Sequence, residues 1–342
     1  MAVVVVVDVA AGSSVGLLPV IALGPAFGGL VGGWRRTVFI GVVAVALCCA
    51  LGIYDGLFEG RRGYTALASV VGVTVASLAA AVARQRREAE LADVRSIAEV
   101  AQRVLLRPVP RSAGHLRVAV SYTSAVAEAR IGGDLYEVVA TPRGVRVIIG
   151  DVQGKGLAAV ETAAAILGAF REAAYEAEDL ADVGERLQRA AERAVDDEKF
   201  VTALIAEIRP EGRADLLNYG HPAPVLVSAD GALSFPEPPE YAPPLGLTVG
   251  AERPLPFPVR LGPGDQMLLY TDGVTETRDS AGCFYPLGDR VAFLQEADLD
   301  AALESIRADL VQHAGGPLHD DAAMLLLRHR EPHGTRPSGE TS

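Results

Sequence analysis

Long apolar runs without charge crowd the first 83 residues and set the terms for any fold of this chain. Thr37–Tyr54 and Tyr64–Ala83 contain no Asp, Glu, Lys or Arg, and Val15–Gly33 is apolar too, broken by Pro19 and Pro25. Each has about the length a helix needs to cross roughly 30 Å of hydrocarbon. A helix apolar on all sides needs protein or lipid around it, so a single, uniformly soluble globule is excluded. The charges divide the same way. Residues 1–107 carry a net +3, and the remainder accounts for −15 of a whole-chain −12. We therefore expect a membrane region at 1–83, with about three transmembrane helices, followed by an acidic soluble part.

Arg35, Arg36, Arg84, Arg86 and Arg87 fall on one side of these spans, and Arg61 and Arg62 on the other. The bias toward basic cytoplasmic flanks puts the C-terminal part in the cytoplasm, giving a multi-pass protein of the cell membrane. A cleaved signal peptide does not fit, because the extreme N-terminus has Asp8 where a basic residue belongs. The spans hold no ionisable residue suited to transport or proton relay. The acidic remainder lacks the basic footprint of a nucleic-acid binder. Cys48, Cys49 and Cys283 have neither disulfide-ladder nor metal-ligand spacing.

From Arg84 the pattern becomes amphipathic, with Leu91, Val94, Ala98, Ala101 and Leu105 at three-to-four-residue spacing and Pro108 and Pro110 beyond. Residues 84–112 are expected to form a linker helix. It either packs on the soluble domain or pairs with a second copy in a homodimer.

Past Leu116 the period shifts to two. Leu116–Tyr122, Asp134–Ala140 and Val145–Asp151 read as strands, the last two joined by the turn Thr141-Pro142-Arg143-Gly144. Centring that turn on Pro142 and Arg143 places Asp134 opposite Asp151 at the open end of the hairpin. Both follow glycine, which leaves room for another group or ion close to the backbone. Helices are expected over Leu157–Glu176 and about Asp179–Val195. Strands follow at Phe200–Ile208, Ala214–Tyr219, Val225–Ser228 and Asp265–Tyr270, then a helix over Asp300–Ala314 and a strand at Ala322–Leu327. Acidic residues thus recur at strand ends: Asp134, Asp151, Asp272 and the pair Asp320-Asp321. Clustered carboxylates repel unless cations neutralise them, and hard oxygen donors suit Mg²⁺ or Mn²⁺.

The strings ARIGGDLYEVV, IIGDVQGKGLAA, LYTDGVTETRD and HDDAAMLLL occur in that order. Together they resemble the type 2C (PPM) metal-dependent protein phosphatases, most of all the bacterial SpoIIE/RsbU-like branch. FVTALIAEI and NYGHPAPVLV are similar to that branch's connecting strands. The resemblance covers roughly 109–330 and implies an α+β fold, an α/β/β/α sandwich of two antiparallel sheets flanked by helices over 113–330, before a tail at 331–342 expected to be disordered. It also implies a site. Asp151 corresponds to the aspartate bridging two metal ions, the Val152 carbonyl to a neighbouring ligand, and Asp272 and Asp320 to later ligands. Asp134 matches a carboxylate at or near the metals, and Asp321 leaves one residue of ambiguity in the last motif. The implied cofactors are two or more Mn²⁺ or Mg²⁺. The implied reaction is hydrolysis of phosphoserine or phosphothreonine by metal-activated water, without a covalent phosphoenzyme, with Asp151 and Asp272 as the catalytic carboxylates. The implied partner is a phosphorylated anti-sigma-factor antagonist or similar small phosphoprotein. The helices after Gly156 resemble that branch's regulatory switch. No upstream phosphate-binding arginine stands out beyond Arg130 as a candidate.

Competing motifs fail on spacing. Gly154-Lys155 lacks the Ser or Thr that a nucleotide P-loop places after its lysine. Gly132-Gly133-Asp134 lacks the Glu-Phe of a diguanylate cyclase. His221 reads as a turn residue rather than a catalytic acid, and Glu276 as support for the Asp272 loop. The alternative in a different class is a non-catalytic, membrane-bound pseudophosphatase or scaffold that binds phosphoproteins.

Overall fold

The computed structural model describes residues 21–54, 56–59, 61–124, 133–195, 199–247 and 254–330. Of residues 91–99, 101, 103 and 104 only the backbone is described. The chain divides into two compact units, Met1–Val94 and Arg95–Ser342.

The first unit contains helices α1 (Leu23–Val31), α2 (Trp34–Tyr54) and the start of α3 (Arg61–Leu105). Small residues let the helices approach closely: a side chain on Gly41 would collide with Thr74. Arg84 donates to the carbonyls of Gly29 (3.1 Å) and Gly32 (2.8 Å), satisfying acceptors that the end of α1 leaves open. Phe39, Val42 and Ile53 on α2, and Val71 and Val75 on α3, are exposed. Apolar side chains facing outward suit a surface whose solvent is hydrocarbon. Two helices are long and apolar enough to cross a membrane, Trp34–Tyr54 and the Gly63–Glu90 part of α3. Of the expected first span, residues 21–33 are described, nine of them in α1; residues 15–20 lie outside the described residues. The sequence pattern separates a third span from a linker helix at Arg84, yet α3 runs through without a break. Arg84, Gln85, Arg86 and Arg87, where the apolar run ends, are all good helix formers. The side chains of Leu91, Val94, Ala98 and Ala101, on which the expected pairing rests, lie outside the described residues, as does the tail 331–342.

In the second unit, β2 (Leu116–Thr123), preceded by the short β1 (Ser112–Ala113), joins β7 (Val225–Val227), β8 (Leu233–Ser234), β10 (Gln266–Tyr270) and β11 (Ala322–His329) in a six-stranded sheet of order β1-β2-β11-β10-β7-β8. The second sheet has order β3-β4-β5-β6-β9, formed by Leu135–Thr141, Gly144–Val152, Val201–Ile208, Arg213–Tyr219 and Phe257–Arg260. Neighbouring strands pair antiparallel throughout. The sheets bury their facing apolar side chains against each other, Leu325 and Leu327 from one and Val147 and Ile149 from the other. Helices α4 (Leu157–Glu176) and α5 (Leu180–Ala194) cover the five-stranded sheet, and Ile166, Leu167 and Phe170 of α4 are fully buried. A one-turn α6 (Asp272–Thr275) follows β10, and α7 (Leu299–Ala314) packs on the six-stranded sheet through Ala302, Leu303 and Ile306. The result is the expected α/β/β/α sandwich.

The hairpin register is the one the turn dictates, from Thr141↔Gly144 to Leu135↔Gly150. Arg146, in the middle of β4, is buried and fixes α4 to the sheet. Its guanidinium donates to Glu207 (2.6 Å) and to the C-terminal carbonyls of α4 at Ala173, Ala174 and Ala177. Replacing Arg146 by leucine strands the Glu207 charge, with Arg209 as its remaining partner. We expect Arg146→Leu to cost about 3 kcal/mol by denaturant unfolding, and Arg146→Leu with Glu207→Leu to recover much of it. A loss under 1 kcal/mol for the single variant would show the pair to be dispensable.

Candidate metal centre

The acidic residues meet at one end of the sandwich because glycines let backbone pack on backbone there. A Cβ on Gly133 would lie 2.4 Å from the Val152 carbonyl oxygen, and one on Gly273 would lie 1.8 Å from that of Asp321. Glycine at these positions is a steric requirement; the group approaching so closely is main chain rather than an ion. The first contact, with Val152 N–H donating to Gly133 O (3.2 Å), brings Asp134 beside the end of β4. The second seats the turn after β10 on the entry to β11, joining Asp272 to Asp320 and Asp321.

Thr271 ties the two groups together. Its hydroxyl donates to Asp134 Oδ2 (2.9 Å) and accepts from the Ala323 N–H (3.0 Å). Asp134 is only 3% exposed. Its carboxyl is pushed well above the usual range, first by burial and then by the charges of Asp151 and Asp321, against the Thr271 hydrogen bond. Asp151 is pushed up to about 7 by burial and by Asp272, Asp320 and Asp321, while a hydrogen bond from Asp134 works the other way. The two carboxyls are joined by a hydrogen bond, so they titrate as a pair. Asp272 is raised by burial, then by Glu276 and Asp320, and lowered by the Gly273 N–H and Lys155. Asp151 is the carboxylate toward which all the others converge.

Asp320 and Asp321 divide the last motif between them. Asp320 is exposed and accepts from Lys155 Nζ at 2.7 Å. Asp321 is buried, and its carboxylate accepts from the Tyr122 hydroxyl and from Ser124 Oγ (3.4 Å). Gln102, near the end of α3, donates to that tyrosine oxygen at 2.8 Å. Sequence reasoning singled out the five aspartates and Val152, and the structure brings them to one place. It missed the residues holding them: Tyr122 and Gln102 lie outside any motif, and the motifs that contain Thr271 and Lys155 do not show what those side chains touch. Arg130 lies outside the described residues. A cavity of about 240 Å³ beside the cluster is lined by Asp272, Glu276, Arg278, His319 and Asp320, with the Arg278 guanidinium stacked on Phe284. A larger cavity, about 1000 Å³, lies around Arg117 and Arg328 at the opposite end of the six-stranded sheet and includes none of the aspartates.

Among the described residues no three acid, imidazole or thiolate groups form a finished ligand cage. The donor set is still that of a hard divalent cation: carboxylate oxygens and a carbonyl, with no sulfur or imidazole. The charges of Asp272, Asp320 and Asp321 hold the Asp151 carboxyl above its usual range, which positive charge would relieve. These residues fit Mg²⁺ or Mn²⁺.

The fold and this site define a class, the type 2C phosphatase-like α/β/β/α sandwich with an acidic centre. The SpoIIE family (Stage II sporulation protein E) matches residues 141–330, more than half of the chain, and the chain belongs to that family. It is similar to the phosphoserine phosphatase RsbU of Bacillus subtilis (strain 168), 25% identical over 208 residues, 59% of this chain and 60% of that protein. The chain thus spans less than two thirds of that relative's length. Among solved structures, the RsbU and RsbW domains of a Mycobacterium tuberculosis protein match with TM-score 0.55 and 24% identity, covering 64% of this chain and 60% of theirs. The SiaA-PP2C domain of Pseudomonas aeruginosa matches with TM-score 0.59 and 18% identity, covering 71% and 98%.

The raised carboxyls give a signed pH dependence. A group with a raised folded-state pKa contributes stability below its unfolded pKa of about 3.9 and loses it as pH rises through the folded value, here about 7 for Asp151. In chelator, Asp151→Asn should raise Tm at pH 8, where the native carboxylate is ionised and repelled, by on the order of 5 °C. At pH 5, between the unfolded and folded values, the gain should be smaller, about a third of that. Equal shifts at both pH values would show that the carboxylates do not repel one another.

Proposed function

We propose that this protein is a membrane-anchored, metal-dependent serine/threonine phosphatase, acting on a small cytoplasmic phosphoprotein of the anti-sigma-factor antagonist kind. The observation that carries this reading is the convergence of four aspartates on Asp151, with Lys155 as the cation that meets them. The name of the RsbU relative, a phosphoserine phosphatase, supports the reaction class, and the RsbU–RsbW domain structure supports a partner among regulatory proteins. The two apolar helices and the arginine bias support an anchor with the phosphatase domain on the cytoplasmic side.

Asp151, Asp272 and Asp320 would hold the cations, with Asp134, Asp321 and the Val152 carbonyl beside them. Divalent cations bound there supply a water that is nucleophilic at neutral pH and neutralise charge on the phosphoryl oxygens. The chain's own part is placement. Thr271 fixes the Asp134 carboxyl, Tyr122 fixes Asp321, and Lys155 balances the charge of Asp320. Asp272 and Asp320 line the cavity through which a phosphorylated side chain enters, with Arg278 at its wall. The test is hydrolysis of a phosphoserine peptide by the full chain in detergent. We expect activity that depends on Mn²⁺ or Mg²⁺, is abolished by chelator, and falls on the order of 100-fold in Asp272→Asn. Metal-independent activity would overturn the cation reading, and no activity with metal present would leave a phosphoprotein-binding scaffold as the reading.

The linker helix is the input to this site in our reading. Gln102 reaches Asp321 through the Tyr122 hydroxyl, and Arg171 of α4 donates to the Leu105 carbonyl at 3.1 Å. Removing residues 1–83 should change activity or Mn²⁺ affinity in the wild-type chain, and Tyr122→Phe should diminish that change. An identical effect of the truncation with and without the hydroxyl would sink this route.

A further inference from the structure

His221 is buried at the seam between the two sheets, 5% exposed, with both ring nitrogens engaged. Nε2 lies 3.0 Å from the Tyr270 carbonyl oxygen and Nδ1 lies 3.0 Å from Thr202 Oγ1. A carbonyl can only accept, so Nε2 carries a hydrogen. Burial pushes the ring down to about 3, which makes it neutral and leaves Nδ1 as an acceptor for the Thr202 hydroxyl. That hydroxyl is also 3.5 Å from the Asp151 carbonyl oxygen, but its one proton is committed to the ring. The main chain of His221 is fixed as well. Its N–H donates to Asn218 Oδ1 (2.8 Å), and its carbonyl accepts from Asn218 Nδ2 (2.9 Å).

The two ends of this bridge are the notable feature. Thr202 is the cross-strand partner of Asp151 on β5. Tyr270 is the last residue of β10, two before Asp272 and adjacent to the Thr271 that holds Asp134. One neutral imidazole therefore joins the strand paired with Asp151, in the five-stranded sheet, to the strand that delivers Asp272, in the six-stranded sheet. A buried histidine needed only for packing would satisfy its nitrogens locally. This one spends both on strands of different sheets, one paired with Asp151 and the other leading into Asp272.

We propose that His221 is a positioning residue: through Thr202 and Tyr270 it sets the placement of Asp151 relative to Asp272, and the cation affinity of the pair depends on it. The inference rests on the reading that these aspartates hold divalent cations. It assigns His221 no contact with substrate.

The experiment is calorimetric titration of MnCl₂ into the full chain in detergent, with thermal unfolding of the same variants in chelator. Thr202→Val keeps the shape of a half-buried side chain and removes the donor to Nδ1. Thr202→Ser keeps the donor. We expect Thr202→Val to weaken Mn²⁺ binding by about 10-fold or more, as loss of outer-shell support does, and Thr202→Ser to stay within about threefold of wild type. If Thr202→Val does not yield folded protein, His221→Gln is read in the same way. A lower Tm with unchanged Mn²⁺ affinity would make His221 a purely structural residue and overturn the proposal. Absence of Mn²⁺ binding by the wild-type chain is a different failure: it removes the cation reading itself, and this inference with it.

Discussion

Two contacts between main chains, Gly133 on Val152 and Gly273 on Asp321, organise this end of the molecule. Without them the four acidic segments would be separate loops at strand ends, and nothing would oblige their carboxylates to gather at one place. With them, repulsion is imposed by sterics and then offset by hydrogen bonds from Thr271 and Tyr122 and by the charge of Lys155. The sandwich behind the site supplies rigidity. Arg146 anchors the end of α4 from within β4, so the element following the Asp151 loop is held at its far end by a buried ion pair.

Much of this was legible in the chain. Pro142 and Arg143 fix a hairpin register, which places Asp134 against Asp151 without any tertiary information. Helix α4 follows from alanine-rich sequence after Gly156. The strands with clear alternation fall within a residue or two of their expected limits. Other parts were not legible, for physical reasons. Strand β9 is four residues long and contains Pro258, which reads as a breaker yet is tolerated on the edge strand of its sheet. The last apolar run and the linker merge into one helix because Arg84, Gln85, Arg86 and Arg87 between them are themselves helix formers. Gln102, Tyr122, Thr202 and Thr271 act across long sequence separations, and a polar residue in a strand or helix does not announce its partner.

The C-terminal end of α3 makes two short connections to the sandwich, one through Tyr122 to Asp321 and one from the Leu105 carbonyl to Arg171. Arg171 also pairs with Glu137 of β3, so the C-terminal turn of α3, the middle of α4 and the Asp134 hairpin share one side chain.

The Lys155 contact has a practical side. The chain contains two lysines, Lys155 and Lys199, so an amine-directed reagent has few places to react. An ammonium group paired with Asp320 is slower to acylate than a free one. The reactivity of a single lysine would therefore report whether the acidic centre is engaged with its internal cation or has given it up, in a protein otherwise almost silent to such chemistry.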